Sequence, residues 1–232
     1  MRLHRFIIPG LVLKTEEIGI PDRDIVHQLR TVLRIKVGDK VLVSDGEGLE
    51  AEGTVKEYRG DSVIIAFSEP YEIQKEAKRE ITLCMAVTKR DTFAWACQKA
   101  TECGVTRIIP VIAERTVKQN VSLARLRAIV KEAAEQSGRG VVPEIEEITS
   151  FDEVLVSEKG QRFIAALGYD STHLSQAVLD GESVSILIGP EGGFSAKEVE
   201  LAVHNDWQPV SLGSRVLRAE TAAAIATYIL AS

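Results

Sequence analysis

Two apolar runs near the end of the chain, Ser183–Ile188 and Pro209–Leu212, each lead into a glycine-bearing loop. These loops, Gly189–Gly193 and Gly213–Ser214, begin 24 residues apart, with a predicted helix between them. In an open parallel sheet, ligands bind outside the carboxyl ends of strands, where such loops gather. Glycine lets backbone N–H and C=O groups approach a ligand because it has no Cβ. The segment Ile186–Thr221 therefore predicts a parallel sheet with one composite pocket for a flat, polar-edged small molecule.

Strand-like and helix-like segments alternate throughout the chain after Glu80, which is typical of an α/β fold with a mainly parallel sheet and helices on both faces. The further strands are predicted at Ile81–Val87, Arg107–Ile112 and Arg162–Leu167, and the helices at Asp91–Cys103, Leu123–Ser137 and Arg218–Ala231. Ser150–Glu153 and Ser195–Glu198 have the form of a capping box, which predicts a helix start at each.

The first 73 residues show a different pattern of short β-branched runs separated by turns. Strands are predicted at Arg2–Ile8, Lys40–Ser44, Leu49–Tyr58 and Asp61–Ser68, with one helix at Asp24–Leu33. The separators Asp45–Gly48 and Arg59–Asp61 are rich in turn-forming residues. This pattern predicts a small antiparallel barrel, an architecture that commonly binds nucleic acid. The irregular, charged stretch 69–79 marks the boundary, so that we predict domains at 1–73 and 74–232.

Composition and charge restrict the compartment and the partners. Three cysteines without a C-x-x-C pair disfavour a disulfide framework, and no apolar run approaches the roughly 18 residues of a membrane span. Met1–Phe6 lacks the pattern of a secretory signal, so a cytoplasmic protein with no membrane association is predicted. The net charge is −6, yet residues 86–139 carry 10 Lys and Arg against 5 Asp and Glu. Such an excess favours a polyanionic partner or forms a solvated helix face.

Other ligand classes find little support in the motifs. The loop Gly189–Gly193 is neither a G-x-G-x-x-G dinucleotide fingerprint nor a Walker P-loop, although a turn followed by a helix cap would also account for part of it. The four histidines lie far apart without ligand-like spacing, which predicts no metal site.

The last predicted helix is apolar almost all round, which predicts burial against the core and against a second copy of the chain. Arg218, Glu220 and Thr221 form a polar cluster at its start. A polar cluster on a buried apolar helix predicts a bound polar group, and an ion pair between Arg218 and Glu220 that caps the helix is the alternative.

These loops and several further motifs resemble the RsmE family of SPOUT methyltransferases over nearly the whole chain. The further motifs are Arg30–Arg34, Gln98–Glu102 with Gly104 and Val105, Ile109–Pro110, Glu114–Arg115, Glu135–Arg139 and Val142–Pro143. The resemblance implies a PUA-like N-terminal β-barrel, a SPOUT-type C-terminal α/β domain with a deep trefoil knot, and a homodimer. It further implies methylation of N3 of a specific uridine in 16S ribosomal RNA of the small subunit, with the assembled subunit as the expected partner.

The same resemblance implies S-adenosyl-L-methionine as the methyl donor, held by three loops. The implied cofactor-binding residues are Leu167, Gly168, Ile188, Gly189, Pro190, Glu191, Gly192, Gly193, Leu212, Gly213, Ser214, Val216, Leu217 and Thr221. From their positions, Arg218 is the candidate for stabilising the uracil anion and Glu191 the candidate base.

Five arginines are predicted to bind RNA: Arg5, Arg30, Arg34, Arg115 and Arg139. Arg30 and Arg34 are expected to share one face of the predicted helix. A surface ion-pair face is the alternative for each. Two rival functions remain: a SPOUT enzyme with another RNA target, and a non-catalytic RNA-binding protein of ribosome assembly.

Overall fold

The computed structural model describes residues 3–73, 76–117, 121–166, 168–169 and 171–232. The chain divides into two compact units, one comprising Met1–Glu76 with Glu135–Val142 and the other Ala77–Ala134 with Pro143–Ser232. Residues 135–142, which the sequence placed in the second domain, therefore group with the first unit. Every helix among the described residues is too short or too polar to span a lipid bilayer.

The first unit is built around a mixed β-sheet. Its strands are β1 (Arg5–Ile7), β2 (Glu17–Ile20), β3 (Lys40–Ser44), β4 (Leu49–Arg59), β5 (Ser62–Phe67) and β6 (Tyr71–Glu72). They follow the order β1-β3-β4-β5-β2, with β6 paired to β4. Alternate residues of β5 are buried, as expected for a strand with one face on a core. Gly60, at φ +57°, makes the predicted tight turn between β4 and β5.

The prediction of purely antiparallel pairing is wrong for one strand pair, because β1 and β3 run parallel. A parallel pair requires a long crossover connection, and the chain between these strands supplies one that contains β2 and the helical segment.

The helix predicted at Asp24–Leu33 is shorter than expected. Helix α1 covers Arg23–His27 and is capped by Asp22, whose carboxylate accepts from the backbone N–H of Asp24 at 2.9 Å. A π-helical turn, Gln28–Val32, follows it, and Arg34 then adopts a left-handed φ of +56°. Arg34 thus lies beyond the helical end, and the expectation that Arg30 and Arg34 share a helix face is wrong.

The second unit contains the predicted α/β fold with a parallel sheet. Its strands are β7 (Glu80–Ala86), β8 (Arg107–Ile112), β9 (Glu144–Ile145), β10 (Thr149–Ser150), β11 (Gln161–Ala165), β12 (Thr172–His173), β13 (Ser183–Ile188) and β14 (Gln208–Ser211). They follow the order β10-β8-β7-β13-β11-β14-β12, with β9 paired to β8, and each of these pairs is parallel. The central strands β7 and β13 are almost wholly buried, as is typical of a sheet covered on both faces.

Five helices of the described residues begin in the second unit: α2 (Arg90–Glu102), α3 (Leu123–Ser137), α4 (Phe151–Ser157), α5 (Ala196–His204) and α6 (Ala219–Ala231). A short 3₁₀ turn covers Leu174–Gln176. The predicted capping boxes are present at the starts of α4 and α5. In the strand order, β11 lies between β13 and β14, so three neighbouring strands end at one edge of the sheet.

Candidate functional site

A cavity of about 700 Å³ lies where β11, β13 and β14 end. Its walls include both glycine loops and the first residues of α6. The composite pocket predicted from the two loops is therefore present in the fold. Of the predicted site residues, those that line it are Ile188, Gly189, Pro190, Glu191, Gly192, Gly193, Leu212, Gly213, Val216, Leu217 and Arg218.

Three predicted cofactor-binding residues are not part of this lining. Gly168, Ser214 and Thr221 lie outside the cavity wall. Leu167 lies outside the described residues. The third loop is nevertheless represented in the wall, by Ala165, Ala166 and Tyr169 at the end of β11.

Other lining residues were missed by sequence reasoning. Lys89 lies just before α2 and Thr92 in its first turn, and Arg215 lies between the predicted site residues Ser214 and Val216. The available signal was Lys89-Arg90, which follows the predicted strand Ile81–Val87 after one intervening residue, because that position is also a carboxyl end of a parallel strand.

The first glycine loop has a compact, internally bonded geometry. Gly193, at φ +66°, donates its N–H to the carbonyl of Pro190 at 2.8 Å. A Cβ added to Gly189 would lie 3.2 Å from the backbone nitrogen and the ring of Phe194. Phe194 in turn packs on Phe151 with ring centroids 5.4 Å apart. Backbone close approach thus explains why glycine is needed at position 189.

The second loop leaves its backbone open to the cavity. Gly213 has φ +117°, a conformation that residues with a Cβ rarely adopt, and no atom lies within 4 Å of where its Cβ would be. Its N–H donates to the Ser211 hydroxyl at 3.1 Å. A ligand can therefore come close to the main chain here.

Arg218 is the N-cap residue of α6, and no side chain caps this helix end. Its side chain is exposed and, within the part of the chain described, forms no ion pair or hydrogen bond, so the alternative of a capping pair with Glu220 is not what the structure shows. The side chains of Lys89 and Arg215 are also exposed and form no ion pair or hydrogen bond within the part of the chain described. These three cations line one cavity together with the carboxylates of Glu191 and Glu220, and none of the three forms an ion pair among the described residues.

Helix α6 is only partly buried within one chain. Tyr228 is 64% exposed and Ile225 36%, while Ala223 and Leu230 face the core. Trp95, on the neighbouring helix α2, is 44% exposed. The two packed helices therefore present an apolar surface to the outside.

Two of the predicted RNA-binding arginines form ion pairs inside the first unit. Arg5 pairs with Glu50, which is 2% exposed and also accepts from the hydroxyl of Tyr71 at 2.6 Å. Burial, together with that hydrogen bond, raises the pKa of Tyr71 to about 12. Arg139 is buried and binds the carboxylate of Glu76 at 2.6 Å.

The other three predicted arginines are exposed. Arg30 lies over the ring of Tyr58 at 5.8 Å from its centroid, and Arg34 lies just beyond the π-helical turn. Arg115 donates from Nη1 to the carbonyl oxygen of Gly192 at 2.7 Å, so it touches the first glycine loop from outside the cavity wall.

Comparison with known proteins identifies the class of protein to which the chain belongs. Residues 75–231 match the family model of an RNA methyltransferase domain, and residues 20–68 match that of an RNA methyltransferase PUA domain. The chain therefore belongs to the RNA methyltransferases.

Relatives define the particular family. Ribosomal RNA small subunit methyltransferase E of Rickettsia conorii is 31% identical over 228 residues, which cover 96% of this chain and 93% of the relative. The protein of the same name from Bacillus subtilis is 30% identical, covering 85% and 83%. These matches place the chain in the ribosomal RNA small subunit methyltransferase E family and confirm the resemblance seen in its motifs.

Solved structures agree with this assignment. The crystal structure of the Neisseria gonorrhoeae ribosomal RNA small subunit methyltransferase E, bound to S-adenosyl methionine, has a TM-score of 0.91 at 29% identity and covers 97% of this chain and 95% of its own. A Legionella pneumophila protein in complex with the cofactor SAM also has a TM-score of 0.91, at 27% identity, and covers 99% and 97%.

Proposed function

We propose that this protein methylates N3 of a specific uridine in 16S ribosomal RNA, with S-adenosyl-L-methionine as the methyl donor. The observation that carries the proposal is the cavity at the ends of β11, β13 and β14, in a chain that matches S-adenosylmethionine-bound relatives over nearly its full length. The assembled small subunit is the proposed substrate, and the cytoplasm the proposed location.

The cavity suits this cofactor. Its volume lies within the roughly 300–1,000 Å³ typical of small-molecule sites. Gly193 and Gly213 line it with backbone that no Cβ covers, and Ile188, Leu212 and Leu217 add apolar surface. Backbone without Cβ atoms, beside apolar side chains, leaves room for a flat heterocycle with polar edges. Bound there, S-adenosylmethionine would supply the methyl group.

The residues around the cavity provide for the chemistry of uridine N3. This atom is a weakly acidic imide nitrogen, and its lone pair becomes available only after its proton leaves. Arg218, exposed at the cavity and without a partner among the described residues, is the proposed cation that stabilises negative charge on the uracil oxygens. Glu191, on the opposite loop, is the proposed base. The target base must be unstacked to reach them.

Incubation with labelled S-adenosylmethionine and either assembled small subunits or naked RNA, followed by nucleoside analysis, tests the function. We expect N3-methyluridine. A product methylated only on ribose or on cytosine would contradict the proposed chemistry. Transfer to another RNA would favour the rival SPOUT specificity, and RNA binding without any transfer would favour a non-catalytic assembly protein.

The proposed RNA contacts are exposed cations. Arg30 and Arg34 remain from the sequence prediction, whereas the Arg115 guanidinium already donates to the Gly192 carbonyl. Lys89 and Arg215 join Arg30 and Arg34 because they line the cavity wall without ion-pair partners among the described residues. Phosphates of the flanking nucleotides are the groups that such cations bind.

Replacing Lys89 and Arg215 together by alanine should weaken RNA binding and flatten its salt dependence. Loss of two phosphate contacts lowers the slope of log K against log salt by about 1.4 for single-stranded RNA. Fluorescence anisotropy at several salt concentrations measures this slope. A double variant of Lys159 and Lys197, which are exposed outside the cavity, is the charge-matched control. Equal slopes in both double variants would remove Lys89 and Arg215 from the interface.

The finer architecture is also a proposal. We assign residues 1–73 to a PUA-like β-barrel that binds RNA and residues 74–232 to a SPOUT domain with a deep trefoil knot, which binds the cofactor and dimerises. The two family-model matches and the parallel sheet of the second unit support this assignment.

Replacing Tyr228 by glutamate should convert a dimer to a monomer. Tyr228, Ile225 and Trp95 expose apolar surface on two packed helices, and a charge buried in an interface there would lack a partner. Light scattering after size exclusion gives the mass. Val203→Glu, at an exposed position on α5, is the control and should leave the mass unchanged. A wild-type monomer would contradict the proposed homodimer.

A further inference from the structure

The segment that follows β8 forms a turn held against the first glycine loop. Within this turn, the N–H of Ala113 donates to the Thr116 hydroxyl at 2.9 Å, and the N–H of Thr116 donates to the Ala113 carbonyl at 3.0 Å. These two hydrogen bonds lie within the turn, so its shape does not depend on its contacts with the loop.

Arg115 contacts the middle of the glycine loop. Its Nη1 donates to the carbonyl oxygen of Gly192 at 2.7 Å. Its Cδ lies 3.4 Å from where a Cβ of Gly192 would be, so the arginine stem also packs on this residue. Arg115 is absent from the cavity wall, whereas Gly192 is part of it. The arginine thus reaches the cavity only through the loop.

Glu114 holds the end of the same loop, where α5 begins. Its carboxylate accepts from the Ser195 hydroxyl at 2.8 Å, and its N–H donates to Glu198 Oε1 at 2.8 Å. Glu198 Oε2 accepts from the N–H of Ser195, also at 2.8 Å. Ser195 and Glu198 are each 7% exposed, and such buried bonds are costly to break. The capping box is therefore linked to the turn after β8, two strands away from β13.

A loop with three glycines loses much conformational freedom when it is ordered. Bonds that hold it in one conformation before the ligand arrives reduce that cost and so increase affinity. We propose that Glu114 and Arg115 are positioning residues that preorganise Gly189–Gly193 for S-adenosylmethionine. The loop role of Arg115 is then distinct from its predicted contact with RNA. This inference rests on the proposed function.

Replacing Arg115 by alanine tests the inference. We expect the Kd for S-adenosylmethionine, measured by calorimetry without RNA, to rise about five- to tenfold, as for loss of one ordinary intramolecular hydrogen bond. In the cofactor-free variant, amide hydrogen exchange in peptides that span 189–195 should be faster. RNA affinity and its salt slope, measured without cofactor, should stay within about twofold, because a loop-positioning role removes no phosphate contact.

Two further variants complete the design. Glu114→Gln should weaken S-adenosylmethionine binding and speed exchange at the same amides, since it loses the charged acceptor of the Ser195 hydroxyl. Lys197→Ala removes the same charge as Arg115→Ala from an exposed position on α5 and should change neither measurement.

The possible outcomes distinguish failure of the proposed function from failure of the positioning role. Wild-type protein that fails to bind S-adenosylmethionine would refute the proposed function itself. Cofactor binding that is normal in both Arg115→Ala and Glu114→Gln would refute the positioning role alone. Normal cofactor binding in Arg115→Ala, with a flatter salt slope for RNA, would return Arg115 to the RNA interface.

Discussion

Replacing Arg218 by alanine should lower kcat for RNA methylation by about a hundred- to a thousandfold, the usual effect of removing a group that stabilises developing negative charge. Arg218 lines the cavity, and no carboxylate among the described residues neutralises it. The Kd for S-adenosylmethionine should change by no more than a few fold, because the backbone of both glycine loops is left intact. Single-turnover kinetics with saturating RNA measures the chemical step, and calorimetry measures the cofactor.

Arg215→Ala is the informative companion to this variant. Arg215 lines the same cavity and carries the same charge, but its proposed role is to bind a phosphate. We therefore expect Arg215→Ala to raise KM for RNA with little change in kcat. Wild-type turnover in Arg218→Ala would exclude its proposed catalytic role, and equal losses of kcat in both variants would show that only the summed positive potential matters.

Local signals predicted the elements around the site well. Helix α3 begins and ends at the residues read from apolar spacing and the following glycine, and both capping boxes start helices. Strands β13 and β14 lie within one residue of their predicted ends. These features depend on short-range chemistry, since a cap or an apolar face needs only its neighbours in the chain.

Long-range pairing explains what sequence reasoning missed. Arg5 and Arg139 were predicted to bind RNA, and no local pattern identifies their ion-pair partners Glu50 and Glu76, which lie 45 and 63 residues away in the chain. Lys89 reaches the cavity wall because β7 pairs with β13, a strand order that no local pattern specifies. Helix α1 is likewise shorter than predicted because a π-helical turn replaces its second half, and apolar spacing does not distinguish such a turn from an α-helix.

Replacing Gly213 by alanine should raise the Kd for S-adenosylmethionine by roughly ten- to a hundredfold. A residue with a Cβ at φ +117° carries strain of about 1–3 kcal/mol, which the free loop escapes by changing conformation. Ligand binding must then restore the strained backbone, so the cost appears in the affinity. The added methyl group also faces open space at the cavity wall, where a ligand would lie.

Gly181 offers a matched control in the same unit. It has φ +115°, and no atom lies within 4 Å of its Cβ position, but it is not part of the cavity wall. Gly181→Ala should therefore suffer the same backbone strain without a change in cofactor affinity. Thermal melts of both variants without ligand show whether strain alone affects stability.

If the two variants lost affinity for S-adenosylmethionine equally, the effect would come from general destabilisation. If Gly213→Ala bound normally, the second glycine loop would not hold the cofactor. Loss of affinity in Gly213→Ala alone would show that the backbone at the end of β14 binds the ligand directly, as the sequence pattern of two glycine loops predicts.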